Sequence, residues 1–389
     1  MSNSNTFVCD ERVSADSASC NLLRAVVRRN SADLSALAAE VRDWDALLAL
    51  AEEHRVTLLL HARLEEMGDA VPQPVQALLR DAYNRNIFHS MANAAELIAI
   101  LGEFDRASVD ALPFKGLVLS AAAYGDFRAR NAGDLDLLIR LSDLPRTISI
   151  LRQRGYHITM PDNAGEQPPP GCSEYRFERT IDGMVTELRW RLELFDTKYW
   201  RNLGIEWLRQ YRQTTILAGA EVPDLKPEIT LVLLSMHGCK HFWSRLIWVN
   251  DIARLIAANP SLDWKLVERV AKRAGLWRAV GLGVLLAHRV VGFDLPDKVL
   301  RTFASIQACA VLAEDFDACL FEEPGVIPDR RFPYDFQLLG PRDRVRYLFS
   351  MKPLQPNELD MSVIRLPKRL HALYYAVRPY RLLRDRLAR

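Results

Sequence analysis

Two aspartates separated by one leucine, Asp134 and Asp136, are the residues whose types and spacing suggest chemistry most directly. The run Asp-Leu-Asp-Leu-Leu-Ile reads as a strand, and residues two apart on a strand project from the same face. Both carboxylates therefore aim at one point while Leu135 and Leu137 pack on the other side. Such a pair repels itself unless something cationic lies between, and Mg²⁺ (or Mn²⁺), a hard ion that prefers oxygen ligands, is the usual solution. Taken alone, Asp-x-Asp fits a solvated strand end better than a metal site. The neighbours change that balance.

Lys115-Gly116 lies at a strand-to-helix junction, where glycine lets a phosphate approach the backbone and the first helical turn offers free N–H groups to an anion. A plain turn with an exposed lysine explains these two residues equally well. Arg128 and Arg130 occupy the loop just before the acidic strand. A guanidinium there is a natural polyphosphate partner, or a counter-ion for the aspartates, and Arg130 is the better candidate because it is closer to the pair. A third acid comes from the alternating run Val185-Thr-Glu187-Leu-Arg189-Trp-Arg191-Leu-Glu193, in which Glu187, Arg189, Arg191 and Glu193 share the polar face. Glu187, central in that strand, is favoured over Glu193 at its end.

Further along, His237, Lys240 and His241 fall at i, i+3 and i+4 of a helix, with Arg245 one turn on. This basic face suits phosphate or acceptor binding through Lys240 or His241, although hydrogen-bonded structural histidines are the commoner outcome. The His-x-x-x-His spacing also suits zinc, but no third ligand and no adjacent glutamate accompany it. Asp251 is read as a structural partner of Arg254, and Trp243, Trp248, Trp264 and Trp277 as core.

These residues need positioning elements. Periodicity predicts helices from about Leu22 to Asp110, broken at Pro72 and Pro74. A compact centre follows, with strands at Ala111–Lys115, Asp134–Arg140, Tyr156–Met160, Glu174–Thr180 and Met184–Glu193, the last two joined by an Asp182-Gly183 turn. Leu117–Ala123 is a short helix, and Ser142 is the N-cap expected for another. From Pro227 the pattern is helical again. The expected organisation is a disordered stretch over 1–20, a helical lobe over 21–110, an α+β core over 111–225, a second helical lobe over 226–325, and a C-terminal extension over 326–389.

Lys115-Gly116, a short helix ending at Tyr124, Arg130, Asp134-Leu135-Asp136 and Glu187-x-x-Trp190 together resemble the bacterial uncharacterised nucleotidyltransferase family, within the DNA polymerase β-like superfamily. Trp44–Leu60 and His237–Leu255 resemble its helical flanks, while the tail after about Val326 is unassigned. Lys-Gly replaces the superfamily's usual Gly-Gly or Gly-Ser, and Arg189 stands where a histidine is expected. The resemblance implies an α+β fold with a mixed nucleotidyltransferase-type sheet between helical lobes. It implies an enzyme in which Asp134, Asp136 and Glu187 hold two divalent ions, with Lys115, Gly116 and Arg130 around a nucleoside triphosphate; Lys240 and His241 are added to that set by the helical spacing alone. An NMP would pass from that NTP to a hydroxyl of a small molecule, peptide or protein. The competing readings are a non-catalytic nucleotide-binding scaffold and an RNA-modifying nucleotidyltransferase.

Composition sets the outer bounds. At 389 residues the chain exceeds one average domain. A net charge of +2 argues against nucleic acid as a partner. Six scattered cysteines with no Cys-x-x-Cys pair predict reduced thiols in a cytoplasmic protein, and the polar first twenty residues do not resemble a signal peptide. The run from Ile364 to Arg389 carries eight Lys/Arg against one acid and could touch a membrane surface, RNA or a partner protein, although a solvated helix is the commoner outcome, and Pro379 is expected to interrupt a continuous helix.

Overall fold

The computed structural model describes residues 17–28, 34–68, 71–131, 133–161, 165, 167–169, 172–192, 203–321, 331–340, 343–345, 363–364, 370 and 373–387. Four helices, α1 (Ser17–Val27), α2 (Leu34–Glu40), α3 (Trp44–Glu53) and α4 (Thr57–Glu65), precede the long α5 (Gln73–Arg106). The centre then runs β1 (Ala111–Pro113), α6 (Gly116–Tyr124), β2 (Asp134–Ile139), α7 (Leu144–Gln153) and β3 (Tyr156–Met160). It continues with β4 (Glu174–Arg179), β5 (Val185–Arg189), α8 (Ile205–Leu208), β6 (Arg212–Leu217) and β7 (Ala220–Leu225). Helices resume with α9 (Pro227–Lys240), α10 (Leu246–Ala258), α11 (Trp264–Ala274) and α12 (Trp277–Val291). They end with α13 (Asp297–Ala304), α14 (Gln307–Cys319), α15 (Arg331–Leu338) and α16 (Tyr374–Leu387). The class is α+β, as expected.

Five strands form one mixed sheet in the order β1-β2-β5-β4-β3; β2 and β5 are parallel and the other neighbours antiparallel. Alternation decides its two faces. Leu135, Leu137, Ile139, Tyr175, Phe177 and Leu188 pack on one side with Leu97, Ile100 and Phe104 of α5 and Ile148 and Leu151 of α7. The opposite side therefore carries Asp134, Asp136, Glu187 and Arg189. A slip of one residue in β2 would bury both aspartates against α5.

A second and larger core joins both helical ends of the chain. Leu22, Leu23, Leu47 and Leu60 from the first four helices cluster with Val232, Ile252, Leu282 and Leu286 from the later ones. The helical lobes expected over 21–110 and 226–325 thus share one interior, and Arg28 Nε donates to the Val290 carbonyl across them at 2.9 Å. Helix α5 links the two cores: Val75 and Leu79 belong to the helical one, Leu97 to Phe104 to the sheet.

Several local expectations need correction. Helix α1 starts at Ser17, inside the stretch expected to lack order, because Leu22, Leu23, Val26 and Val27 give it a buried face. Ser142 is no N-cap: a 3₁₀ turn over Leu141–Asp143 leads into α7, whose first turn accommodates Pro145 where a proline loses no helical hydrogen bond. The β6–β7 hairpin was not foreseen. Helix α16 runs through Pro379, which removes one backbone bond without ending the helix. The remainder of the basic tail's first half, and Glu193, lie outside the described residues.

Candidate active site

Parallel pairing of β2 with β5 places Asp136 directly opposite Glu187, with Asp134 opposite Val185. Glu187 in turn faces Arg176 on β4, and Arg189 faces Glu174. The acidic row anticipated from two separate strands is therefore contiguous on the face away from α5. Burial raises the pKa of Asp134, and the Asp136 charge adds to it. Glu187 is raised for the same reasons, by burial first and then by the Asp136 carboxylate. Crowding like charges into a half-buried patch favours protonation unless a cation intervenes.

Two side chains supply positive charge. Lys115 Nζ lies 3.5 Å from both oxygens of Asp136. Arg189 lies 3.4 Å from Asp136 through Nε and pairs with Glu187 and Glu174 through its two terminal nitrogens. The arginine that replaces the expected histidine thus bridges the acids of three strands. Among the described residues no three His, Cys, Asp or Glu side chains are gathered as a metal-ligand cluster. The donor set itself suits a hard divalent ion: oxygen ligands only, on adjacent strands, with Asp134 and Glu187 destabilised as anions where they stand.

Backbone geometry at the Lys-Gly junction explains the lysine's direction. Lys115 has φ 63° and ψ −153°, a region other residues leave almost entirely to glycine, and Gly116 follows at φ 49°. This kink ends β1 and starts α6, whose first turn has no side-chain cap. The uncapped N–H groups and Lys115 are left beside the acidic row, the arrangement by which helix N-termini receive phosphates.

Arg130 occupies a different position from a free phosphate ligand. Its buried Nε donates to both oxygens of Asp251, at 2.9 and 3.1 Å. Tyr124 Oη donates to Asp251 at 2.7 Å and accepts from Asn250 at 2.9 Å. Asp251 is therefore the partner of Arg130 and Tyr124, 121 residues away in the first case. Arg254 lies over the Tyr124 ring. Arg128 is paired with Asp126 at 2.9 Å.

The end of α9 brings a cationic and aromatic wall to the same place. The His237 and His241 rings are 4.6 Å apart, and both lie against Trp248, at 5.2 and 5.4 Å. Arg245 sits over the other part of that cluster, 5.4 Å from the Trp248 ring. Burial, then the charge of Lys115, drives the His237 pKa well down. Burial and Lys240 bring His241 to about 3, so both imidazoles are neutral at pH 7. Lys240 is lowered by burial, and it feels the charges of Glu174 and Glu187. Trp243, by contrast, is core: a Cβ on Gly238 would come within 2.5 Å of its ring, so the glycine lets the tryptophan fold back on α9.

The sequence singled out Lys115, Gly116, Asp134, Asp136, Glu187, Lys240 and His241, and the fold brings them to one region. It missed Asp251 as the anchor of Arg130 and Asn250 as a partner of Tyr124, and it missed Arg55. The charge of Arg55, from the turn between α3 and α4, reaches Asp134. Its one local signal was an arginine directly after a helix end, where glycine is the usual residue.

An acidic row on a mixed sheet, a Lys-Gly kink feeding a helix N-terminus and flanking helices that share a core define a nucleotidyltransferase-type protein. The chain belongs to the uncharacterised nucleotidyltransferase family, which it matches over residues 40–292. Among solved structures, that of the antibiotic-resistance factor ANT(2'')-Ia has a TM-score of 0.33 and 16% identity, covering 47% of this chain and 92% of its own. The lincomycin-bound lincosamide antibiotic adenylyltransferase LnuA has a TM-score of 0.30 and 18% identity, covering 42% and 96% respectively. No curated protein matches the chain. No described helix is long and apolar enough to cross a membrane.

Proposed function

We propose that this protein transfers a nucleoside monophosphate from an NTP to a hydroxyl of a small-molecule, peptide or protein acceptor. The observation that carries the reading is the β2–β5 register, which sets Asp136 against Glu187 with Asp134 two residues along the same face. In this reading Asp134, Asp136 and Glu187 hold Mg²⁺ or Mn²⁺. A divalent ion bound there neutralises phosphate charge and lowers the pKa of an acceptor hydroxyl.

The remaining residues bind and orient. The uncapped turn at Gly116 and the Lys115 ammonium receive the β- and γ-phosphates, and Lys240 adds a second cation from α9. Arg130 acts through position: Asp251 and Tyr124 fix its guanidinium, and its charge biases Asp134 toward the ionised form. The acceptor hydroxyl gives up its proton to water, its oxygen bonds to the α-phosphorus as the bond to pyrophosphate breaks, and Lys115 and Lys240 offset the charge that develops on the leaving group. Neutral His237 and His241 line the side of the site near Trp248, where an uncharged ring of the nucleotide or acceptor can pack without adding cationic charge.

Incubation with each α-labelled NTP, Mg²⁺ or Mn²⁺ and host lysate tests the reading. Wild type should label a small molecule or a protein, and the Asp134→Ala/Asp136→Ala double variant should not. Label on RNA would assign the acceptor to nucleic acid. Failure of wild type to transfer label or to bind nucleotide with metal would leave a scaffold whose acids are simply neutralised by Arg189.

A further inference from the structure

The turn between α3 and α4 lies more than fifty residues before the acidic strands, yet it is fastened to the site. His54, buried at the end of α3, accepts from Leu246 N through Nδ1 at 3.2 Å, and its carbonyl accepts from Ile247 N at 3.3 Å. These are the first residues of α10, the helix that supplies Trp248, Asn250 and Asp251. The turn is thus held against the helix that anchors Arg130.

Its own geometry is a Schellman motif. Val56 N donates to Ala51 O at 2.8 Å and Arg55 N to Glu52 O at 2.9 Å, with Val56 fully buried as the apolar plug. The residue at the left-handed position of this motif is usually glycine, because a Cβ there is strained. Here it is Arg55, at φ 55°. Its side chain is exposed, and no ion pair or hydrogen bond ties its guanidinium among the described residues. A long cation stands at a position that favours no side chain, on a turn fastened to the helix that anchors Arg130, and its charge is felt at Asp134.

We infer that Arg55 is a substrate-binding residue, contributed by the N-terminal helices, whose guanidinium clasps the phosphate oxygens of the nucleotide held at Asp134, Asp136 and Glu187. The inference rests on the nucleotidyltransferase reading and extends it to a region otherwise taken as scaffold. A planar, permanently charged donor suits phosphate, because it pairs with two oxygens at once and is weakly hydrated, so little solvation is lost when substrate arrives. The N-terminal helices thereby contribute a side chain to nucleotide binding.

Arg55→Gly gives a test in which stability and binding move in opposite directions. Glycine relieves the strained position, so thermal unfolding of the full chain should stay level or shift upward. Affinity for Mg·ATP and for inorganic triphosphate, measured by calorimetry, should fall by about tenfold or more, the worth of one charge-assisted contact. Adenosine should bind as it does to wild type, and Arg55→Lys should recover part of the loss. Equal triphosphate affinity in wild type and Arg55→Gly would overturn the inference, as would an equal loss of adenosine binding, which would mean a packing role. A wild type that binds neither ATP nor triphosphate would instead sink the nucleotidyltransferase reading itself.

Discussion

Two clusters of arginine and carboxylate sit on opposite sides of the same sheet, and their acids are shifted in opposite directions. Beneath the apolar face, Glu96 of α5 receives Arg154 through two bonds of 2.7 and 2.8 Å and Arg179 through a third of 2.6 Å. Although burial opposes it, the paired guanidiniums pull the Glu96 pKa down. On the other face Arg189 and Lys115 must serve Asp134, Asp136, Glu187 and Glu174 together, and Asp134 and Glu187 are pushed up. Where both guanidiniums converge on one carboxylate the cluster is a clamp. Where several carboxylates must share two cations, charge is left over for a ligand to neutralise, which marks a functional site more than a structural one.

The contrast can be broken from the acidic side first. Asp136→Asn should reduce turnover by at least about 10³-fold, since in the proposed reaction charge at that position supplies several kcal/mol of barrier lowering. Circular dichroism and thermal unfolding should show the variant folded; full metal-dependent activity in it would remove Asp136 from the chemistry. Glu187→Gln should follow with a loss of about 10²-fold or more, read from kcat in a titration of metal concentration.

Changing Glu96 should do the reverse. Glu96→Ala removes the acid that Arg154 and Arg179 share, and should cost about 2–4 kcal/mol of stability, below the full value for a buried pair because Arg154 keeps Glu103, Arg179 keeps Asp182 and both touch water. Activity per folded molecule should be unaltered. Denaturant unfolding at a temperature where wild type is fully native would measure the first quantity, and active-site titration the second. An activity loss in the folded fraction would mean that the two faces are coupled.

The smallest effect concerns a carboxylate belonging to neither cluster. Asp224 near the end of β7 is buried, accepts from Leu225 N at 2.7 Å and faces Gln213 across the hairpin. Burial raises its pKa to about 6. Because the folded state holds this proton more tightly than the unfolded chain, its contribution to stability is present at pH below about 4 and is lost as pH rises through about 6. Asp224→Asn should therefore stabilise the protein at pH 8 by about 1–3 kcal/mol and by little at pH 4.5, compared through urea midpoints. No difference between the two pH values would show that the carboxylate is better solvated than its surroundings suggest.

Much of the site was legible before folding because its signals are local. The expected strand at Tyr156–Met160 coincides with β3, and the one at Asp134–Arg140 differs from β2 by a single residue. The Lys115-Gly116 junction and the Asp182-Gly183 turn announce themselves through glycine. The His237, Lys240 and His241 face follows from helical period alone. Arg130 was a different matter: its nearest acids in sequence are Asp126 and Asp134, each four residues away, yet its bonds go to Asp251. The hairpin of β6 and β7 was also hidden, since Arg212-Gln-Thr-Thr-Ile-Leu shows no clean apolar alternation.

The chain's sequence alone determined which side chains share a face, because the periods of strand and helix are set by backbone geometry that every residue obeys. It determined the acidic pair, the candidate third acid and the basic helical face in this way. Which elements become neighbours was decided only by tertiary packing. The β2–β5 register, the anchoring of Arg130 by Asp251 and the arrival of Arg55 through His54 all join residues fifty or more positions apart. Such pairings come from burying two apolar cores at once, and no spacing along the chain records them.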